Sequence, residues 1–191
     1  KDIVGCQDQT LVAYGGLNFI EFGGQSHLKV RQVTIGKEKI QALQDHLMMF
    51  FTGFSRMASE IAGHQICNIP SKTAELKAMY EMAVHSLEIL NHGDLNDFGR
   101  LLDEGWKLKK SLSDKITTPE MDAMYEAALK HGALGGKLLG AGGGGFVLLF
   151  VPPERQPQVR NQLKKYLQVP IKFEDQGSQI IFYQPNTGKV D

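Results

Sequence analysis

The apolar positions change period several times along the chain, and each change marks an element. Ile3, Gln7, Leu11 and Tyr14 fall at helical spacing, and Gly15-Gly16 closes that segment as a C-cap pair does. Leu17 to Phe22 reads as a strand with Gly23-Gly24 as its turn. From His27 to Ile35 apolar and polar residues alternate (Leu28, Val30, Val33 and Ile35, with one slip), the pattern of a half-buried strand. Glu38 to Gln44 predicts a short helix. Leu47-Met48-Met49-Phe50-Phe51 predicts a buried strand, and Thr52-Gly53-Phe54-Ser55-Arg56 the turn after it.

The middle of the chain switches to helical period. Ser71 is expected to cap a helix whose apolar face is Leu76, Met79, Tyr80, Ala83, Val84, Leu87 and Leu90, ended by Asn91-His92-Gly93. Asp94 caps a second helix, with Leu95, Phe98, Leu101, Leu102, Leu108 and Leu112. Near its end stand Trp106 and the cations Lys107, Lys109 and Lys110, where positive charge suits the helix dipole. Thr118-Pro119 opens a third helix carrying Met121, Met124, Tyr125, Ala128 and Leu129, since proline fits the first helical turn. The methionine and aromatic stripes read as core packing. This helical segment leads into a glycine-rich stretch. Phe146 to Val151 then forms an apolar, β-prone run stopped by Pro152-Pro153, a buried strand. A helix from about Glu154 to Leu167 and two short strands, Val169 to Phe173 and Gln179 to Tyr183, complete the pattern.

Composition narrows the function classes. A chain of 191 residues is one domain or two, and 42% hydrophobic residues suffice for a sizeable core. Lys and Arg number 21 against 21 Asp and Glu, so no broad field gathers nucleic acid or an anionic membrane. The longest apolar run, Phe146 to Val151, is far too short to span a bilayer. Cys6 and Cys67 form no CxxC pair and are too few for a disulfide framework, which fits a reducing cytosol. The histidines show neither HExxH nor other ligand spacing, so no metal site is predicted.

The stretch from Gly132 to Phe146 holds eight glycines and cannot be core. Gly140-x-Gly142-x-x-Gly145 matches the dinucleotide fingerprint, but that fingerprint follows a strand and opens a helix. Here a helical segment precedes and a strand follows, which excludes it. No Gly-Lys-Ser/Thr closes the run, which excludes a Walker loop. Two readings stay open: successive bare amides cradling an anion, or a hairpin where two backbones pack closely. Asp8, between Gln7 and Gln9 with no adjacent cation, is either a solvated surface carboxylate or a base. Arg56 is either a plain surface arginine or an anion contact at a strand end.

Gly136-Lys137-Leu138-Leu139-Gly140-Ala141-Gly142-Gly143-Gly144-Gly145 resembles the third motif of the GHMP small-molecule kinases, and Gly5-Cys6-Gln7-Asp8-Gln9 resembles the segment that carries the catalytic aspartate of its sugar kinases. Tyr14 to Phe22 and Glu104 to Lys110 are similar to one branch, the D-glycero-D-manno-heptose phosphate kinases. The resemblance implies an α+β fold: residues 1–35 ending the kinase's N-terminal (S5-like) domain, and residues 36–191 forming a ferredoxin-like C-terminal domain with added helices. It implies phosphoryl transfer from ATP and Mg2+ to a sugar hydroxyl, for this branch the anomeric hydroxyl of a heptose 7-phosphate. Asp8 would be catalytic. Lys137, Gly140, Ala141, Gly142, Gly143, Gly144 and Gly145 would line the phosphates. Gln7, Gly16, Arg56 and Lys110 would meet the sugar substrate, with Lys107 and Lys109 as further cations for its phosphate. The family's first and second motifs, which hold the ATP phosphates and supply the metal ligand, are not in these residues. The chain is therefore expected to be the C-terminal part of a larger cytoplasmic kinase, inactive without its upstream domain and free to form a homodimer. A fucokinase, a galactokinase or a non-catalytic sugar-sensing relative are the alternatives.

Overall fold

In the computed structural model, which describes residues 5–23, 27–53, 63–64, 66–140 and 142–183, the chain divides into two units. One joins Gly5–Thr34 to Phe173–Asp191; the other is built on Ile35–Lys172. In the first, helix α1 (Gln7–Tyr14) ends where expected, because Gly15 and Gly16 adopt φ of 64° and 72°. The Gly15 N–H donates to Leu11 O at 2.9 Å. Crowding also demands glycine here: a Cβ on Gly15 would lie 2.3 Å from the Gln176 carbonyl carbon. The returning chain is tied down by Gly16 N–H to Glu174 O and Ser178 N–H to Val12 O, both 2.9 Å. Strands β1 (Asn18–Phe22) and β2 (Leu28–Gln32) pair antiparallel with Ile20 opposite Val30.

The helix expected at this spacing forms; its one buried residue is Thr10, and Tyr14 is 58% exposed. One expectation fails in this unit. Gln179 to Tyr183 forms no strand, for no described segment offers it a ladder, and Ile181 is 96% exposed. Ile3 and Gly24 lie outside the described residues.

The second unit runs through α2 (Lys37–Asp45), β3 (Leu47–Phe51), α3 (Thr73–His92), α4 (Leu95–Ser111), α5 (Pro119–Lys130), β4 (Gly135–Leu138), β5 (Phe146–Phe150), α6 (Gln156–Gln162) and β6 (Leu167–Val169). Its sheet has the order β4-β5-β3-β6, antiparallel throughout, which is the ferredoxin-like β-α-β-β-α-β arrangement with extra helices after the first strand. The two apolar runs are its inner strands. Met48 pairs with Leu149, Phe50 with Val147, and Leu138 with Val147 from the other side, so these side chains share one face. All are buried, in one cluster with Met121, Met124, Tyr125 and Ala128 of α5 and Val159 and Leu163 beyond.

Helix starts follow local chemistry only in part. Asp94 accepts from Asn96 N–H at 2.9 Å and Thr118 from Met121 N–H at 3.4 Å, as capping predicts. Ser71 is no cap: it closes a 3-10 turn (Ile69–Ser71), donates to Asn68 O, and leaves Lys72 at the N-cap. Tyr80 and Val84, placed on the apolar face of α3, are 56% and 43% exposed. The last helix is shorter than expected, and Leu167–Val169, read as helix end and strand start, is the edge strand on β3.

The helix expected before the glycine loop forms, and between it and the loop lies a strand that the apolar pattern does not show. Glycine gives no β-propensity signal, so the pattern could not show β4. Tertiary contact explains its composition. A Cβ on Gly136 would lie 2.3 Å from Leu148 O. One on Gly135 would lie 2.0 Å from Gly99 O and 2.7 Å from Asp103 N, so the backbone of α4 rests directly on β4. Among the described residues, no helix is long and apolar enough to cross a membrane.

Candidate functional site

The loop between β4 and β5 is a tight connection of two antiparallel strands in which Gly140, Gly142, Gly143, Gly144 and Gly145 all adopt positive φ, from 74° to 153°. For Gly140 and Gly145 conformation, not crowding, demands glycine: nothing lies within 4 Å of a Cβ on Gly140, and the nearest atom to one on Gly145 is 3.9 Å away. Ala141 lies outside the described residues.

Five hydrogen bonds fix the loop. Leu139 N–H donates to Phe146 O at 2.8 Å and Gly143 N–H to Ile116 O at 2.9 Å. Gly145 O accepts from both the N–H and the Oγ1 of Thr52, at 2.9 and 3.0 Å. Lys109 Nζ donates to Gly140 O at 2.7 Å. The N–H groups of Gly140, Gly142, Gly144 and Gly145 donate to no acceptor among the described residues. The stretch is a hairpin, and four of its backbone N–H groups have no acceptor among the described residues.

Three lysines near the end of α4 have different partners. Lys107 pairs with Asp103 at 2.6 Å, and that bond raises its pKa. Asp103 also accepts from Tyr125 Oη at 2.9 Å, joining α4 to α5; burial, then the Asp103 charge, pushes the phenol's pKa up. Lys110 pairs with Asp122 at 2.9 Å and lies over the Trp106 ring, 5.9 Å from its centroid. Lys109 has no carboxylate partner among the described residues. Burial, and next the charge of Lys137 on β4, push its pKa down to about 8. Neither Asp103 nor Tyr125 stands out in the sequence as a polar partner. The i,i+4 spacing of Asp103 and Lys107 is a signal for the first; the helical spacing of Tyr125 marks only a core position.

The remaining candidates belong to the other unit. Asp8 is exposed in the first turn of α1, where the helix N-terminus favours a negative charge. Gln7 and Gln9 beside it are exposed too. The Gly16 N–H is taken by Glu174 O. Arg56 lies outside the described residues. Among the described residues no group of three or more His, Cys, Asp or Glu is placed to hold a metal ion.

Residues 83–169 match the family model described as GHMP kinases C terminal. The chain is 30% identical over 164 residues to a D-glycero-alpha-D-manno-heptose 7-phosphate kinase of Campylobacter jejuni, covering 84% of this chain and 48% of that protein. It is 26% identical over 175 residues to a bifunctional fucokinase/GDP-fucose pyrophosphorylase of Arabidopsis thaliana, covering 88% of this chain and 16% of that one. A solved D-glycero-D-manno-heptose 1-phosphate kinase from Bacteroides thetaiotaomicron superposes with a TM-score of 0.62 at 25% identity, over 92% of this chain and 48% of the other. The chain thus spans about half, or less, of the length of these relatives.

Proposed function

Since the chain contains the C-terminal domain of a GHMP kinase, we propose that it is the C-terminal part of an ATP-dependent sugar kinase acting on the anomeric hydroxyl of D-glycero-D-manno-heptose 7-phosphate. The loop carries the reading: bare amides at positive φ on a hairpin held at both flanks suit the charge of a phosphate group. The 30% identity to a heptose 7-phosphate kinase supports the choice of sugar. Residues 1–35 are assigned to the end of the N-terminal domain and 36–191 to the C-terminal domain.

Bound ATP supplies the phosphoryl group, and its magnesium ion is assigned ligands upstream of this chain. The work of these residues is positioning and charge neutralisation, which dominate such reactions. The loop from Gly140 to Gly145, Ala141 included, lines the phosphates through the free amides of Gly140, Gly142, Gly144 and Gly145, with Gly143 tied to Ile116 O, and Lys137 holds the loop beside them. The Asp8 carboxylate orients the acceptor hydroxyl and takes its proton. Gln7 and Gly16 stand by the sugar, and Arg56 and Lys110 by its own phosphate. The protein works in the cytoplasm, as the monomer or a homodimer.

The test is a panel of sugars and sugar phosphates offered with ATP and Mg2+ to the full-length protein. Turnover of the heptose 7-phosphate above all others is the expected result. Preference for fucose or galactose overturns the choice of sugar, and turnover of none overturns the kinase reading.

Two substitutions probe the assignments. At Gly143, whose φ is 74° and which is buried, a valine is strained by about 1–3 kcal/mol. Gly143→Val in the full-length protein is expected to lower kcat/KM at least about tenfold, near 1.4 kcal/mol; a fully active variant reduces the loop to a connection. Charge-assisted bonds to phosphate are strong. Arg56→Ala, or failing that Lys110→Ala, should therefore raise KM for the sugar phosphate several-fold while KM for ATP holds. If neither moves it, the sugar's phosphate sits elsewhere.

A further inference from the structure

Lys109 stands near the end of α4 with its ammonium 2.7 Å from the carbonyl oxygen of Gly140, 31 residues away in the chain. Its neighbours Lys107 and Lys110 have carboxylates to meet, on Asp103 and Asp122. Lys109 meets a backbone carbonyl instead, and burial works against a charge where it stands. A half-buried ammonium with no carboxylate among the described residues has one of two uses. It meets an anionic substrate, or it holds the backbone that it touches.

The loop decides between them. The pairing of β4 and β5 closes with Leu139 N–H on Phe146 O, and the loop is held again at Gly143, by Ile116 O, and at Gly145, by Thr52. Between Leu139 and Gly143 stands Gly140, whose φ is 90° and whose N–H donates to no acceptor among the described residues. A Cβ there would meet nothing within 4 Å, so packing gives this turn little hold. The Lys109 ammonium is the one hydrogen-bond partner of Gly140 among the described residues. A peptide unit is planar, so a donor that fixes its oxygen also fixes the direction of the N–H on its other side. The helix that carries the ammonium is itself set against the strand leading into the loop, for the backbone of α4 at Gly99 and Asp103 lies against Gly135 of β4.

We propose that Lys109 is a positioning residue of the glycine loop: its ammonium holds the Gly140 carbonyl so that the free amides of the loop face the phosphates, and it touches neither substrate. The inference rests on the reading of this loop as the phosphate lining. It withdraws Lys109 from the cations expected to meet the sugar's own phosphate. The amides act where charge develops in the transition state, so loss of this hold falls on kcat rather than on substrate binding.

The full-length protein is compared with Lys109→Met, which keeps an unbranched stem and loses the charge, and with Lys109→Arg, which keeps a cationic donor. A hydrogen bond to a charged group contributes about a factor of ten or more. Lys109→Met should therefore lower kcat at least about tenfold while KM for ATP and for the heptose 7-phosphate stay within about twofold. Lys109→Arg should recover kcat to within about threefold of wild type. Melting temperature and the hydrogen-exchange protection of α4 should hold in both variants. The Gly143 amide, bonded to Ile116 O, should exchange at least about tenfold faster in Lys109→Met alone. A KM for the sugar phosphate that rises while kcat holds makes Lys109 a substrate contact and overturns the proposal. Gly143 exchange at the wild-type rate in Lys109→Met, or a Lys109→Arg no better than Lys109→Met, overturns it as well. If the wild-type protein itself turns over no sugar phosphate, the kinase reading fails, and hydrogen exchange alone then decides whether Lys109 holds the loop.

Discussion

Asp8→Asn in the full-length protein should lower kcat by about 10²–10⁴-fold, the range of general-base assistance. The substitution keeps the shape of the side chain and removes its charge. Asp8 is exposed in the first turn of α1, with amide neighbours and no cation paired to it among the described residues. Losing the carboxylate there breaks no internal contact of its unit, so melting temperature should hold. Apparent affinity for ATP should change little, because the carboxylate is assigned to the acceptor hydroxyl. A solvated surface aspartate gives almost no change in either constant. Steady-state kinetics decides: a kcat within about twofold of wild type removes Asp8 from the reaction.

Gly135→Ala should cost at least about 3 kcal/mol of stability, at the upper end of overpacking costs. The added methyl would meet Gly99 O at 2.0 Å and Asp103 N at 2.7 Å, both main-chain atoms. No rotamer change relieves a collision with backbone, so α4 must move off β4. For a chain of this size that amounts to a melting temperature lower by at least about 6 °C. Gly140→Ala is the control. Its φ of 90° disfavours alanine by about 1–2 kcal/mol, yet a Cβ there meets nothing within 4 Å. Urea unfolding of the two variants at unchanged m-value separates crowding from strain. If Gly135→Ala is no worse than Gly140→Ala, the close approach of α4 to β4 is not real.

The candidate site was legible in uneven degree. The glycine loop stood out because its composition has no other use, and its positive φ values bear out a demand that only glycine meets cheaply. The family followed from that loop together with Gln7-Asp8-Gln9, and residues 83–169 match it. What the lysines do was not legible. Lys107, Lys109 and Lys110 look alike in a row, and their partners sit on α4, on the glycine loop and on α5. Only the first partner lies within one helical turn.

The same division runs through the whole chain. Asp94 and Thr118 as caps, Gly15-Gly16 as a stop, and the strands Leu47–Phe51 and Phe146–Phe150 are determined by the sequence alone, because capping and periodicity act within a few residues. Tertiary structure decided that Gly135–Leu138 is a strand, that Tyr80 and Val84 face outward, and that Lys109 alone of its group reaches the Gly140 carbonyl. Each of those depends on which backbone or charge arrives from a distant segment. A glycine chosen for close approach looks the same in sequence as one chosen for its φ, and a cation shows its partner only after the chain has folded around it.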